Sequence, residues 1–217
     1  MKRSVVIIGT LLLLLAMSTS GHATPTIWYT TYAPGGEFVS PYVATTTWDF
    51  NGGALPSGWT GNAADAAIVS NSQSGQYAAP EGVSGQDTSK YIVVPGSGQS
   101  GSVTVTNFGS ANYFGIWWGS IDTYNSLTFY NGNTQVAYFT GSDVSTSPNG
   151  DWTSSETNKY VNFTGFTFDK FVMASSGIAF EADNIAVGNV SVPEPITLLF
   201  LGASLFGLGL AGRKIKK

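Results

Sequence analysis

Residues 126–140 read SLTFYNGNTQVAYFT. Ser126 to Tyr130 and Gln135 to Thr140 are short runs rich in aromatic and β-branched residues, the composition of strands. Between them Asn131-Gly132-Asn133 supplies the residue types that accept positive φ in a tight hairpin turn. Upstream, residues 102–108 (SVTVTNF) alternate, with Val103 and Val105 on one face and Thr104 and Thr106 on the other. A period of two residues is the signature of a strand with one buried face.

Working outward, the same signals recur between turn-rich spacers. Thr45 to Asn51, Ala67 to Val69, Gln76 to Ala79, Tyr91 to Val94 and Tyr113 to Trp118 are expected strands before or beside this pair. Tyr160 to Phe168, Lys170 to Ala174 and Ile178 to Val187 follow it. Thr24 to Pro41, with Trp28, Tyr29 and Tyr32, is expected to lie over the domain as a lead-in segment. No stretch from Thr24 to Val192 sustains a 3.6-residue apolar period. The expectation is therefore all-β: one antiparallel β-sandwich, jelly-roll-like, over residues 24–191.

Both flanks have a different character. Lys2 and Arg3 precede the apolar run Val5 to Ala16, and Gly21-His22-Ala23 offers small residues for cleavage, so residues 1–23 read as a secretory signal peptide. Residues 192–217 read VPEPITLLFLGASLFGLGLAGRKIKK. The prolines favour an extended start, and the uncharged run 196–212 is seventeen residues of apolar helix, about 25 Å at ~1.5 Å per residue. That is close to the minimum for a transmembrane helix, with the basic residues 213–217 held on the cytoplasmic side.

The composition of the middle excludes much. From residue 24 to 192 there is no Cys, His or Arg, and three lysines face twelve acids, a formal charge of −9. Disulfides, Cys/His metal sites and catalysis by Ser-His-Asp or Cys-His are ruled out there. With no basic patch to neutralise phosphates, nucleic acid is not an expected partner.

The ordered tail, Pro193-Glu194-Pro195, apolar helix and basic cluster, resembles the PEP-CTERM sorting signal of Gram-negative bacteria that make exopolysaccharide. The resemblance implies recognition by an exosortase, a membrane-embedded transpeptidase-like enzyme, with cutting near the motif and only transient residence of 196–212 in the inner membrane. Asn112 to Asn133, Trp48-Asp49-Phe50-Asn51, residues 75–80 and residues 180–185 are similar to exosortase-dependent surface proteins with the same tail. That likeness implies a location, cell surface or extracellular matrix, and no activity or site residue.

The residues themselves suggest sites. Adjacent Trp117 and Trp118 point to opposite faces of a strand, so one is expected in the core and the other outside. With Tyr113, Tyr124 or Tyr130 nearby and Asp122 and Asn125 as hydrogen-bonding groups, an outward ring is a candidate sugar platform; a core and an interface tryptophan is the alternative. Calcium is the ion an all-oxygen residue set suits. A structural calcium is weighed at Asp49, Glu181 and Asp183, and another in the Asp143–Asp151 loop, against plain solvated or hydrogen-bonded carboxylates. A carboxylate pair such as Asp151 and Glu156 is the minimum for a polysaccharide hydrolase, but twelve scattered acids always supply some pair. The expectation is a non-catalytic structural or adhesive protein of the biofilm envelope. A lectin-like glycan-binding module is the alternative, and a hydrolase comes behind both.

Overall fold

The Asn-Gly-Asn signal is a turn between strands β10 (Asn125–Asn131) and β11 (Thr134–Thr140), with Gly132 at φ +58°. The computed structural model containing it describes residues 24–30, 39–42, 45–62, 64–82 and 85–191. The expected signal peptide, Pro-Glu-Pro motif and apolar helix lie outside the described residues.

The β10–β11 hairpin forms one edge of a five-stranded antiparallel sheet. Its order continues through β13 (Lys170–Ser175), β8 (Gly101–Val105) and β3 (Trp59–Thr60). The facing sheet runs β1 (Thr26–Thr30), β12 (Lys159–Phe168), β9 (Ala111–Gly119), β14 (Phe180–Gly188), β7 (Lys90–Val94) and β4 (Ala67–Ser70). A seventh strand, β2 (Thr45–Trp48), pairs with the second half of β14 where β7 no longer reaches. A small hairpin of β5 (Glu81–Gly82) and β6 (Gly85–Gln86) stands apart, and one helical turn, α1 (Gly141–Val144), follows β11.

The two sheets pack face to face, giving the expected sandwich. Alternating residues of each strand fill the space between them: Phe114, Ile116 and Trp118 of β9, Leu127 and Phe129 of β10, Phe171 and Met173 of β13, and Phe180 and Ala182 of β14. Phe129 is central, with the rings of Phe166, Phe114 and Phe168 at 4.9, 5.0 and 5.0 Å between centroids. Trp118 stacks on Phe180 at 4.3 Å with planes 13° apart.

The seven-stranded sheet is covered on its outer face as well. Tyr113, Gly115, Trp117 and Gly119 of β9 point that way, and all but the glycines are large rings with almost no exposure. Ser40 and Tyr42 lie over Tyr113: Ser40 Oγ donates to its hydroxyl at 3.0 Å and the two tyrosine rings meet edge to face at 4.6 Å. Pro80 crosses Gly119 so closely that a Cβ there would sit 2.8 Å from the proline Cα. The buried tyrosine and asparagine beneath Ser40 are paired, as burial demands. Asn162 accepts from the Tyr113 hydroxyl at 2.8 Å and donates to Thr30 Oγ1 at 2.8 Å.

Two local expectations are corrected. Gln76 to Ala79 is a loop held by a single bridge between Gln73 and Tyr77, because Gly75 at φ +72° turns the chain back on itself. Part of the expected lead-in is β1, paired in register with β12 from Thr26 opposite Thr164 to Thr30 opposite Tyr160. Among the described residues no helix is long and apolar enough to cross a membrane.

Candidate functional site: a cleft above the outer sheet

Three turn-rich excursions meet above the outer face of the seven-stranded sheet: residues 71–80 after β4, residues 120–124 after β9, and residues 145–158 before β12. Asn158, nearly fully buried, joins them. Its Oδ1 accepts from Ser120 N at 3.1 Å and Glu81 N at 3.0 Å, while its Nδ2 donates to Asp151 O and Ser154 O at 3.2 and 2.9 Å. The excursions are thus fixed to one another by a side chain that uses both ends of its amide.

Between them lies an open cleft of about 540 Å³. Its walls carry Gln73, Gln76 and Gln86, Trp152 stands on it 49 % exposed, and Asp122 and Glu181 line it without any lysine or arginine. Trp152 belongs to the 145–158 excursion, where Gly150 at φ +70° brings the backbone against the Asp122 carboxyl.

Glu181 is the deepest of these groups. It sits on β14 opposite Gly119 of β9 and Val93 of β7, 2 % exposed. Its Oε1 accepts from Ala78 N at 3.0 Å, which latches the 71–80 loop onto the sheet, and its Oε2 has no hydrogen-bond partner. Burial pushes its pKa up to about 8, and the Ala78 amide offsets part of that. Ser120 Oγ, also buried on the cleft wall, has no partner either.

Asp122 is held differently. Tyr124 Oη lies 2.5 Å from Asp122 Oδ2 and 2.6 Å from the Ile178 carbonyl oxygen. A phenol has one proton and a carbonyl can only accept. A proton on Asp122 completes the chain: Asp122 donates to Tyr124, and Tyr124 donates to Ile178. Burial raises the Asp122 pKa and the Tyr124 hydrogen bond lowers it, with a net shift upward.

Beyond the domain, residues 191–215 match a known family, the PEP-CTERM protein-sorting motif. This stretch is a PEP-CTERM sorting motif. It contains Pro193, Glu194 and Pro195, and a motif of this kind implies processing of the chain by an exosortase. The PEP-CTERM motif marks an exported protein of the cell surface sorted by that enzyme. No curated protein and no solved structure matches the chain.

The other candidate residues of this PEP-CTERM protein are distributed unevenly. Trp117 and Trp118 are both buried, at 1 % and 0 %, which corrects the expectation that one ring faces outward. They do point to opposite faces, but the outer face is itself covered, and Trp117 packs on Tyr160. Tyr113 lies under Tyr42, and Asn125 is buried with its amide bonded to Ser175 and Ala179, so neither reaches a ligand. Tyr130 lies apart from the cleft beneath the Lys170 ammonium, 4.4 Å from the ring centre. Asp122 reaches the cleft and Tyr124 supports it there.

The weighed cation sites do not form. β2 and β14 do pair, but Asp49 is exposed and turns back to accept from Asn51 N at 3.2 Å. Asp143 caps Thr140 through its backbone N–H at 2.7 Å and hydroxyl at 2.8 Å, and Asp151 accepts from Thr153 at both groups. Among the described residues no three acidic side chains gather to hold a metal ion. Asp151 and Glu156 are surface groups satisfied by Thr153 and by Lys159, the latter at 3.0 Å. The residues sequence reasoning missed are Trp152, Asn158 and Ser120; a lone tryptophan among the polar turn residues of DWTSSET was the available signal for the first.

Proposed function

We propose that this exported PEP-CTERM protein is an adhesive component of the exopolysaccharide envelope, and that it holds saccharide chains in the Trp152 cleft. The observation that carries the reading is the half-exposed indole standing on an open groove walled by amides, hydroxyls and carboxyls. An indole offers the flat apolar surface on which sugar C–H groups pack, and the neighbouring polar groups suit sugar hydroxyls. Two carboxyls also line the groove, which is the composition of a glycosidase. Hydrolysis, however, needs one of the pair ionised as base or nucleophile. The single Tyr124 proton between Asp122 and the Ile178 carbonyl calls for a proton on Asp122, and burial raises the Glu181 pKa, so we read the groove as binding without cleavage.

Trp152→Ala is expected to reduce retention on the producing cell's own exopolysaccharide about tenfold, an effect of ~1.4 kcal/mol. The same substitution should leave the thermal unfolding midpoint within a degree or two, because the ring is half in solvent. Unchanged retention in a folded variant would remove the cleft from the account.

The sorting step has its own measurement. Intact mass of the protein recovered from the cell surface should correspond to a chain lacking residues 196–217 at one end and 1–23 at the other. A surface species that keeps Ile196 to Lys217 would make the apolar run a lasting anchor.

A further inference from the structure

We infer that the cleft selects neutral polysaccharide over anionic polysaccharide, with Asp122 and Glu181 held as protonated, uncharged carboxyls and Glu181 donating a hydrogen bond to the chain. The inference rests on the reading of the cleft as a saccharide site and names the class of chain it takes.

Two separate geometries support it. At Asp122, the short contacts of Tyr124 Oη to both Oδ2 and the Ile178 carbonyl leave one phenol proton for two oxygens, and a proton on the carboxyl supplies the second. At Glu181, one oxygen is fixed by the Ala78 amide and the other is buried at the cleft without a partner. An ionised oxygen in that position carries the full cost of desolvation, whereas a carboxyl O–H costs far less and becomes a donor in search of an acceptor. Ser120 Oγ is a second unpartnered buried group on the same wall.

The surroundings of Glu181 add no positive charge. Facing it are the Ala78 N–H from the 71–80 loop, Tyr91 from β7, and Asp122 and Tyr124 from the β9–β10 connection. Asp87, beyond β6, adds its charge to the surroundings of Tyr91, and Asp183 projects from the same face of β14 with Ser89 Oγ at 3.3 Å from it. A uronate or sulfate entering the cleft therefore meets carboxyls and amides and no cation, and no counter-charge offsets the loss of its hydration. A neutral chain presents hydroxyl oxygens that accept from Glu181 and the serine, and hydroxyl hydrogens that the free oxygen of Asp122 accepts. Ionisation of Glu181 removes a donor and adds a negative charge, so binding weakens as pH rises through about 8.

The test uses the full chain purified in detergent, with neutral polysaccharides (glucans and mannans) and polyuronates of matched length, at pH 6 and pH 9. The neutral class should be held at least tenfold more tightly than the polyuronates at pH 6, and retention should fall about tenfold by pH 9. Glu181→Gln should keep its retention at pH 9, because an amide supplies a donor that does not ionise. Asp122→Asn is the companion variant: its amide can donate to Tyr124 as the protonated acid does, so retention should persist. Polyuronates held as well as neutral chains, a wild-type profile flat in pH, or loss of retention in a folded Asp122→Asn protein would each overturn the inference. If those results appear while Trp152→Ala still lowers retention about tenfold, the cleft remains a saccharide site with ionised carboxyls. If no polysaccharide is held, or Trp152→Ala leaves retention intact, the site and the inference fall together.

Discussion

Phe129→Ala should lower the unfolding free energy by about 3–5 kcal/mol, read from urea midpoints at constant slope. The ring has no exposed surface and six phenylalanine neighbours drawn from both sheets: Phe114 and Phe163 on one, Phe139 and Phe171 on the other, and Phe166 and Phe168 at the end of β12. It makes no polar contact, so the loss is transfer free energy plus the cavity left behind. Rigid aromatic neighbours anchored on paired strands collapse poorly into such a space. The change is a large part of the ~5–15 kcal/mol of a typical domain. Tyr138→Ala, on the same hairpin but 53 % exposed, is the matched control and should cost well under ~1 kcal/mol. A loss below ~1 kcal/mol for Phe129→Ala would mean that the cluster repacks.

Stability should also fall as pH rises from 5 to 8, and Glu181→Gln should flatten that fall. The sign follows from proton counting. The folded-state pKa of Glu181 is pushed up to about 8, whereas an unfolded glutamate titrates near its ordinary value of 4.5. Between those values the folded chain holds a proton that the unfolded chain has released. The contribution is complete below the unfolded pKa and is lost as pH rises through the folded one, at up to ~1.4 kcal/mol per pH unit. Asp122, also shifted upward, acts in the same direction. The window is otherwise quiet, since residues 24–192 contain no histidine. The shifts of Asp151 and Glu156 are downward, and being solvent-exposed groups they affect only the acid limb. Urea midpoints across pH 5–9 check this, and at pH 8.5 the Gln variant should be the more stable protein. An unaltered slope in Glu181→Gln would place the proton on another group.

The two sheets were legible because their strands announce themselves locally. Val103 and Val105 alternate with threonines, and Asn131-Gly132-Asn133 can scarcely be anything but a turn. The outer layer was not, because covering β9 depends on segments remote in sequence, Ser40 lying 73 residues from Tyr113. With that cover in place Trp117 is buried and the expected sugar platform disappears. The cleft was illegible for the same reason. Its walls are turn-rich stretches whose approach is fixed by Ala78 to Glu181 across 103 residues and Glu81 to Asn158 across 77. Asp122 was identified for its type and position, but its partner Tyr124 gives it a protonation state that residue type alone does not specify.

The position of β14 sets an order of events at the membrane. It is the last strand of the domain, yet it pairs with β9 on one side and with β2 and β7 on the other, so the larger sheet cannot close without it. Only Asn189 to Val192 separate its end at Gly188 from Pro193. Nearly the whole chain must therefore emerge before the sandwich can form. The finished domain then sits within four residues of Pro193, leaving little slack between a bulky fold and the motif that marks the chain for exosortase processing. Maturation and folding become competitors for the same short segment, and lengthening it would be the way to uncouple them.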